Sequence, residues 1–172
     1  MSDAVATPSP ISVRSIIRST SLGELLTRRW AATWIDFVVL ASLLLGPDYF
    51  LGNKTYQATI FFWLAAIALY FPFFEALWGR SIGKLIAGVA VVDSKGKPPG
   101  FGKATLRTLT RPVEVNPFLA GGLPAGIAVW NSKDRQRLGD MWADTYVIPS
   151  RRLAELRRVN KAQRDRRLGR HE

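Results

Sequence analysis

Two long apolar blocks dominate the pattern of hydrophobic and polar positions along the chain. Residues 55–74 (TYQATIFFWLAAIALYFPFF) carry no charged side chain. A helix of this length reaches roughly 30 Å, the thickness of the hydrocarbon core of a bilayer. Residues 30–47 form the second block, with Asp36 as its single charge. The pattern predicts two transmembrane helices, of which the first begins near Leu22 and is stopped by Gly46-Pro47.

A third uncharged block, residues 115–132, is interrupted by prolines and glycines. These are Pro117, Gly121, Gly122, Pro124 and Gly126. Backbone broken at membrane depth has to be buried against protein or water. The pattern favours a re-entrant or interfacial segment that returns to the side it came from, and a single crossing is the alternative.

Two short β-like runs flank the third block and a basic segment. Residues 88–93 (GVAVVD) and 144–149 (DTYVIP) are each too short to be stable alone, so we expect them to pair with each other. Residues 101–111 are predicted to form a helix that Pro112 stops. The predicted fold class is therefore an all-α membrane protein with two long spans, a broken third segment, a small cytoplasmic strand pair and a basic interfacial helix.

The basic helix carries Lys103, Arg107 and Arg111 at every fourth position, so these side chains share one face. Two interpretations of this stripe remain open. The favoured one places the helix on the inner leaflet, with its charges on anionic lipid headgroups. In the other, one of the arginines neutralises a buried carboxylate.

The composition narrows the classes of function. The chain has 24 Lys and Arg against 13 Asp and Glu, a net charge of +11. Such a balance is also typical of nucleic-acid-binding proteins, but long uncharged runs favour a membrane protein, and no nucleic-acid partner is expected. The chain has no cysteine and one histidine, His171. We therefore expect no enzymatic activity, no metal site and no cofactor.

Basic residues are distributed unevenly around the two spans. Residues 1–29 hold four and residues 79–114 hold seven, whereas the link at 46–57 holds only Lys54. The positive-inside rule therefore places both termini and residues 79–114 in the cytoplasm. The predicted domains are a disordered leader at 1–20, a membrane domain at 21–149 and a basic cytoplasmic tail at 150–172, either a polar helix or a disordered arm.

Asp36 is the unusual residue of the first span, because an aspartate near the centre of a membrane helix costs about 2.5–3.5 kcal/mol. Arg29 lies seven residues earlier on the same helical face. We expect a guanidinium to compensate Asp36, through water or a second arginine, and Glu75 to lie at a similar level. In the favoured interpretation these groups form ion pairs that hold the helices together. In the other, Asp36 binds or relays a cation or a proton.

Taken in order, these residues form a pattern that resembles the RDD family. The pattern consists of Arg29-x6-Asp36, Gly79-x-Ser81-x-Gly83-Lys84, Arg107, Arg111, Arg135-Gln136-Arg137-Leu138-x-Asp140 and Ala143-x-Thr145. The resemblance covers about residues 24–149, and the arginine and two aspartates for which the family is named correspond to Arg29, Asp36 and Asp140. The chain has Ser81, Gly139 and Asp144 where threonine, histidine and glycine are common.

The resemblance implies a bacterial multi-span protein of the cytoplasmic membrane, in a family with some members linked to cation/proton exchange. The first hypothesis is a non-enzymatic protein in which a polar cluster organises the helices and docks a partner. Its members would be Arg29, Asp36, Glu75, Arg107 and Asp140. The expected partners are the bilayer with its anionic headgroups and a second copy or another membrane protein. The alternatives are an exchanger subunit with Asp36 as titrating site, and a regulator acting through the basic tail.

Overall fold

The computed structural model describes residues 12–51, 53–115 and 122–167. In chain order the elements are α1 (Val13–Ser19), α2 (Leu22–Leu51), α3 (Asn53–Trp78), α4 (Ile82–Ile86), β1 (Val89–Asp93), α5 (Gly100–Glu114), α6 (Leu123–Asn131), α7 (Leu138–Trp142), β2 (Thr145–Pro149) and α8 (Ser150–Arg167). Helices account for most of the chain, and the two apolar blocks lie in the two longest.

The helices α2 and α3 pack on each other and contain the two candidate membrane spans, Leu22–Pro47 and Thr59–Trp78. Only 17% and 28% of their most apolar windows are buried. This differs from the core helix of a soluble protein, and lipid is the environment that suits such exposed apolar faces. The predicted stop at Gly46-Pro47 is wrong, because α2 continues through Pro47 to Leu51. Proline is tolerated in membrane helices where neighbouring groups satisfy the freed carbonyl.

The two β-like runs pair as the sequence predicts, in an antiparallel ladder with Val91 opposite Val147. Both faces of this pair are covered, so its residues are buried almost without exception. One face, with Tyr146 and Ile148, packs in a cluster with residues of α1 and α8. The other face packs against Leu25 and its neighbours on α2. The strand pair is thus the layer that joins the spans to the terminal helices.

The predicted leader at 1–20 is wrong for its last third, because Val13–Ser19 form α1. Ile16 and Ile17 of α1 are buried in the cluster against the strand pair, and this burial stabilises a helix that would be too short to persist alone. Residues 1–11 of the predicted leader lie outside the described residues. In the tail, α8 is helical and buries Leu153 and Leu156 in the same cluster.

The third apolar block is described only in part. Residues 116–121 lie outside the description, and the block continues as α6, nine residues long. At 1.5 Å per residue this helix measures about 13 Å, less than half the thickness of a hydrocarbon core. It packs on α2 and α5. The basic helix α5 is longer than predicted and contains Pro112 in its last turn, so that proline does not stop it.

Candidate functional site

Arg107 is the centre of a buried group of charges. Its side chain is 1% exposed. Its Nε donates to Oε2 of Glu75 at 3.0 Å, and its Nη1 donates to Thr145 Oγ1 at 2.6 Å and to Oδ1 of Asp140. These acceptors lie on α3, β2 and α7. One guanidinium on α5 therefore joins three other elements.

Glu75 accepts hydrogen bonds from two further cations, Lys84 on α4 and Arg111 on α5. The guanidinium of Arg111 also lies over the ring of Phe71, 3.6 Å from its centroid. Three cations thus converge on one fully buried carboxylate, although Glu75 lies within a candidate span. The pairing stabilises the ionised carboxylate at a depth where an isolated charge would be strongly unfavourable.

These contacts decide between the two interpretations of the basic stripe. The favoured one, a stripe lying on lipid headgroups, is wrong for Arg107 and Arg111, which face the protein interior. The alternative is confirmed, because both arginines neutralise a buried carboxylate. Lys103, at the outer end of the stripe, contacts Asp144 instead. Arg107 and Arg111 thus face α3 and α7, where the buried carboxylates of Glu75 and Asp140 pair with them.

Asp140 is the second fully buried carboxylate of the group. It accepts from Nη2 of Arg29 at 2.8 Å and from Nε of Arg137 at 3.3 Å, in addition to Arg107. Although burial raises the pKa of Asp140, the three guanidinium groups outweigh it and hold the pKa well below its usual value. Its carboxylate also accepts from the backbone N–H of Arg137, the N-cap residue of α7. Asp140 therefore both caps a helix and ties it to α2 and α5.

Glu114 is a member of this group that sequence reasoning missed. It is buried at the end of α5, accepts the backbone N–H of Gly139 at 3.2 Å, and lies 3.7 Å from Nε of Arg137. A Cβ on Gly139 would collide with the hydroxyl of Thr110. The close packing of α7 on α5 thus leaves no room for a side chain at position 139. We call the whole group the ion network: Arg29, Glu75, Lys84, Arg107, Arg111, Glu114, Arg137 and Asp140.

Asp36 lies outside the ion network, in a site of neutral donors. Its carboxylate, 2% exposed, accepts from the hydroxyl of Tyr70 at 2.8 Å, the hydroxyl of Ser81 at 2.6 Å and the backbone N–H of Gly83 at 2.8 Å. Among the described residues no guanidinium contacts it. The expected compensation by an arginine is therefore wrong, because Arg29 pairs with Asp140 instead.

The first turn of α4 is shaped to meet this carboxylate. Ser81 caps the helix, since its Oγ accepts from the N–H of Lys84 while donating to Asp36. A Cβ on Gly83 would collide with the carbonyl of Ala32 and lie 2.8 Å from the carboxylate. Only glycine allows the backbone N–H to approach so closely. Gly79, with φ of +67°, turns the chain from α3 toward α4 in the left-handed region that favours glycine.

Two basic side chains of the ion network have lowered pKa values. Burial, together with repulsion from Arg111 and Arg107, lowers the pKa of Lys84 to about 7 despite the neighbouring Glu75. Burial and repulsion from Arg111 likewise lower the pKa of Arg137 to about 9. Loss of solvation thus exceeds the stabilisation that the network's own carboxylates supply to these two side chains.

A cavity of about 820 Å³ lies between α2, α6 and the ion network. Asp36 and Lys84 line it, together with Arg29, Arg107, Arg111 and Arg137. Among the described residues there is no group of three or more His, Cys, Asp or Glu that could hold a metal ion. The predicted site residues are thus brought to one end of the spans, most of them in the ion network and Asp36 beside it.

Comparison with known proteins supports the resemblance found in the sequence. The model of the RDD family matches residues 24–144, well over half of the chain. Neither curated proteins nor solved structures gave a match. Together with the two long, exposed apolar helices, the family points to a membrane protein. The matched segment contains Arg29, Asp36 and Asp140, and the chain belongs to the RDD family.

Proposed function

We propose that this chain is a non-enzymatic integral protein of the bacterial cytoplasmic membrane, in which the ion network fixes the spans on the strand pair so that a membrane partner can dock. The observation that carries the proposal is the position of Arg107, buried between α3, α7 and β2. Removing one partner of a buried ion pair costs about 3–5 kcal/mol. The network therefore makes one arrangement of these elements strongly preferred.

The distribution of charge supports an orientation with both termini in the cytoplasm. The ion network and the strand pair adjoin the ends of the spans at Leu22 and Trp78, and the basic segments at 1–29 and 79–114 flank those ends. Cytoplasmic segments near membrane spans are enriched in Lys and Arg. In this orientation the apolar block at 115–132, which contains α6, enters the membrane from the cytoplasmic side and returns to that side. Arg151 and Arg152 on α8 are exposed and are available to anionic headgroups.

The exposed faces of the two spans support a role in docking. Large apolar side chains such as Trp34, Phe61 and Phe62 are exposed on α2 and α3. Two helices offer too little surface to enclose a pathway through the membrane, but they offer an apolar face to a further helix. The partner in this proposal is a second copy of the chain or another membrane protein. The charged groups, in contrast, bind one another, which supports a structural role for them rather than catalysis.

The second candidate function is that of a subunit in a cation/proton exchanger, with Asp36 as the titrating group. One observation favours it: Asp36 lines the cavity beside Lys84, whose pKa is lowered to about 7 by burial, so a proton can be gained or lost there near neutral pH. Because two spans enclose no pathway, this function requires several copies or a larger host. The carboxylate would then exchange its neutral donors for a cation during the cycle.

Substitution of Asp36 by asparagine separates the two candidates. Asparagine keeps the shape and one acceptor oxygen, so the Asp36→Asn variant should fold, with a modest loss of stability on the order of 1–2 kcal/mol. The protein is reconstituted in proteoliposomes, and sodium and proton flux are measured under imposed gradients. The matched control is Asp144→Asn, which removes an exposed carboxylate at a left-handed position that asparagine tolerates.

Our proposal predicts no gradient-dependent flux for wild type or for either variant, and a marked loss of thermal stability for Arg107→Met. Flux by the wild type that disappears in a folded Asp36→Asn protein, and persists in Asp144→Asn, would contradict the proposal and favour the exchanger. Normal abundance and thermal stability of Arg107→Met would contradict the structural role of the ion network.

A further inference from the structure

The cavity between α2 and α6 has a strongly cationic wall. Of the described residues, five cationic side chains and one carboxylate, that of Asp36, line it. The lining cations are Arg29, Lys84, Arg107, Arg111 and Arg137. The network carboxylates that pair with them, Glu75, Glu114 and Asp140, do not line the cavity. A negatively charged group entering the cavity would therefore meet the cations directly, because the carboxylates that pair with them are not part of the cavity lining.

Three of the lining arginines keep a buried donor without an acceptor among the described residues. The nitrogens are Nη1 of Arg29, Nε of Arg111 and Nη2 of Arg137. A buried donor left without a partner costs about 1–3 kcal/mol, and more when the group is charged. Arg137 is itself only 5% exposed. Three such donors on residues that line one cavity show that the described residues supply too few acceptors for these guanidinium groups.

The electrostatics of the wall lead to the same conclusion. The pKa of Lys84 is lowered to about 7 and that of Arg137 to about 9, by burial first and then by repulsion from the neighbouring arginines. An anion placed among these groups would raise both pKa values toward their ordinary range. The cationic charge of this wall is therefore incompletely balanced by the protein itself.

The rest of the cavity is apolar. Leu123, Ile127 and Trp130 of α6 line it, as does Trp30 of α2, and all four side chains are more than half exposed. Arg29 lies seven residues after the first residue of α2, which is about 10 Å along the axis. A ligand that fits this shape has a negatively charged head at the arginines and an apolar tail along α2 and α6. The volume of about 820 Å³ is that of a site for a molecule rather than for a single ion.

We infer that this cavity binds one anionic phospholipid, whose phosphate accepts hydrogen bonds from Arg29, Arg111 and Arg137 while an acyl chain lies between α2 and α6. The inference rests on the proposed location of the ion network at the cytoplasmic leaflet. It assigns the cavity a ligand of its own, separate from the docking of a protein partner. A free anion would leave the apolar wall uncovered, and a zwitterionic lipid would bring its cationic head toward five cations.

The test uses the full-length protein in a neutral detergent. Dioctanoyl phosphatidylglycerol, dioctanoyl phosphatidylcholine and inorganic phosphate are titrated separately, and binding is measured by isothermal calorimetry and by native mass spectrometry. Gly126 lines the cavity and a Cβ there meets no atom within 4 Å, so Gly126→Leu reduces the space available to a ligand without changing a charged residue. The matched control is Gly102→Leu on α5, where a Cβ is equally unobstructed but lies outside the cavity lining.

We expect phosphatidylglycerol to bind with 1:1 stoichiometry and at least ten times more tightly than phosphatidylcholine. Gly126→Leu should weaken this binding at least tenfold with an unchanged melting temperature, while Gly102→Leu binds as the wild type does. In Arg137→Gln the preference for phosphatidylglycerol over phosphatidylcholine should fall toward one. If Gly126→Leu does not fold, the comparison of the two lipids on the wild-type protein decides the matter.

Three results would overturn the inference. Equal affinity for the two lipids would show that the cationic wall does not select an anionic lipid. Binding of inorganic phosphate as tight as that of the lipid would identify a free anion as the ligand. Unchanged binding by folded Gly126→Leu would locate the lipid elsewhere. None of these results depends on ion flux or on the stability of Arg107→Met, so this inference and the proposed function fail separately.

Discussion

Asp36 and Arg29 show what spacing along a helix does and does not predict. Their separation of seven residues places them on one face of α2, yet each bonds to a different element. Arg29 pairs with Asp140, 111 positions further along the chain. The sequence predicts that a carboxylate in a membrane span needs a partner. It does not predict which one, because the hydroxyl of Tyr70 and a backbone N–H leave no distinctive signal in the sequence.

At Lys84 the structure predicts a pH dependence of stability. The ammonium group faces Glu75 of α3, Arg107 and Arg111 of α5 and Asp36 of α2, and its pKa in the folded state is lowered by burial to about 7. Above pH 7 the folded protein therefore binds fewer protons at this lysine than the unfolded protein does. Because stability rises with pH wherever the unfolded state binds more protons, the melting temperature in detergent should rise from pH 7 to pH 9.

Substituting Lys84 by methionine should flatten that rise, since the variant has no proton to release at this position. Thermal unfolding at half-unit pH steps measures the effect. The exposed Lys95, in the turn after β1, provides the control, and Lys95→Met should keep the wild-type slope. An identical slope in Lys84→Met and wild type would show that this lysine titrates normally in the folded protein.

Among the elements, α1 was missed for a physical reason. Val13, Ile16 and Ile17 follow a helical spacing, which is the signal that could have found it. However, seven residues are fewer than a periodicity window needs, and they follow a polar, proline-containing stretch. A helix this short is stable only when packed. Its stability comes from the strand pair and α8, whose contacts with it are set by the fold.

The burial of α1 predicts that Ile17→Ala destabilises the protein by about 2–5 kcal/mol, because the substitution leaves a cavity in the cluster of α1, α8 and the strand pair. Denaturant unfolding in detergent measures the change. Ile86→Ala, at an exposed isoleucine of α4, should change the free energy of unfolding by less than about 0.5 kcal/mol. Equal stability of the two variants would show that α1 is not part of the folded core.

The spans and the strand pair could be predicted because length, hydropathy and β-branched composition determine them locally. The environment of α5 could not be predicted, since basic residues at every fourth position define one face of a helix but not what covers that face. Lipid phosphate and a buried carboxylate are both suitable partners for an arginine. The choice depends on Glu75 and Asp140, which lie far from α5 in the chain and are brought to it only by folding.

For the whole molecule, the distribution of charge predicts which side of the membrane each segment occupies. The chain has no cysteine, so single cysteines can be introduced without a background. In intact cells, a membrane-impermeant maleimide should label Gln57→Cys in the link between the spans. It should label Asn160→Cys on α8 only after permeabilisation. Both positions are exposed, so accessibility within the fold does not limit either reaction.

Labelling of Asn160→Cys in intact cells would place α8 outside the cytoplasm. Because β2 leads directly into α8 and is paired with β1, the strand pair would then lie outside the cytoplasm as well, and the proposed orientation would be reversed. The sequence of the apolar block at 115–132 does not determine whether this block crosses the membrane or re-enters it, because prolines and glycines occur in both kinds of segment.

The central claim is that the ion network holds the spans on the strand pair, and a double-mutant cycle between Glu75 on α3 and Arg107 on α5 tests it most directly. The free energy of unfolding is measured for Glu75→Gln, Arg107→Met and the double variant. We predict that each single variant loses about 3 kcal/mol or more. The double variant should lose less than the sum, with a coupling of at least about 1.5 kcal/mol. Losses that add within about 0.5 kcal/mol would contradict the account, because independent sites behave in that way.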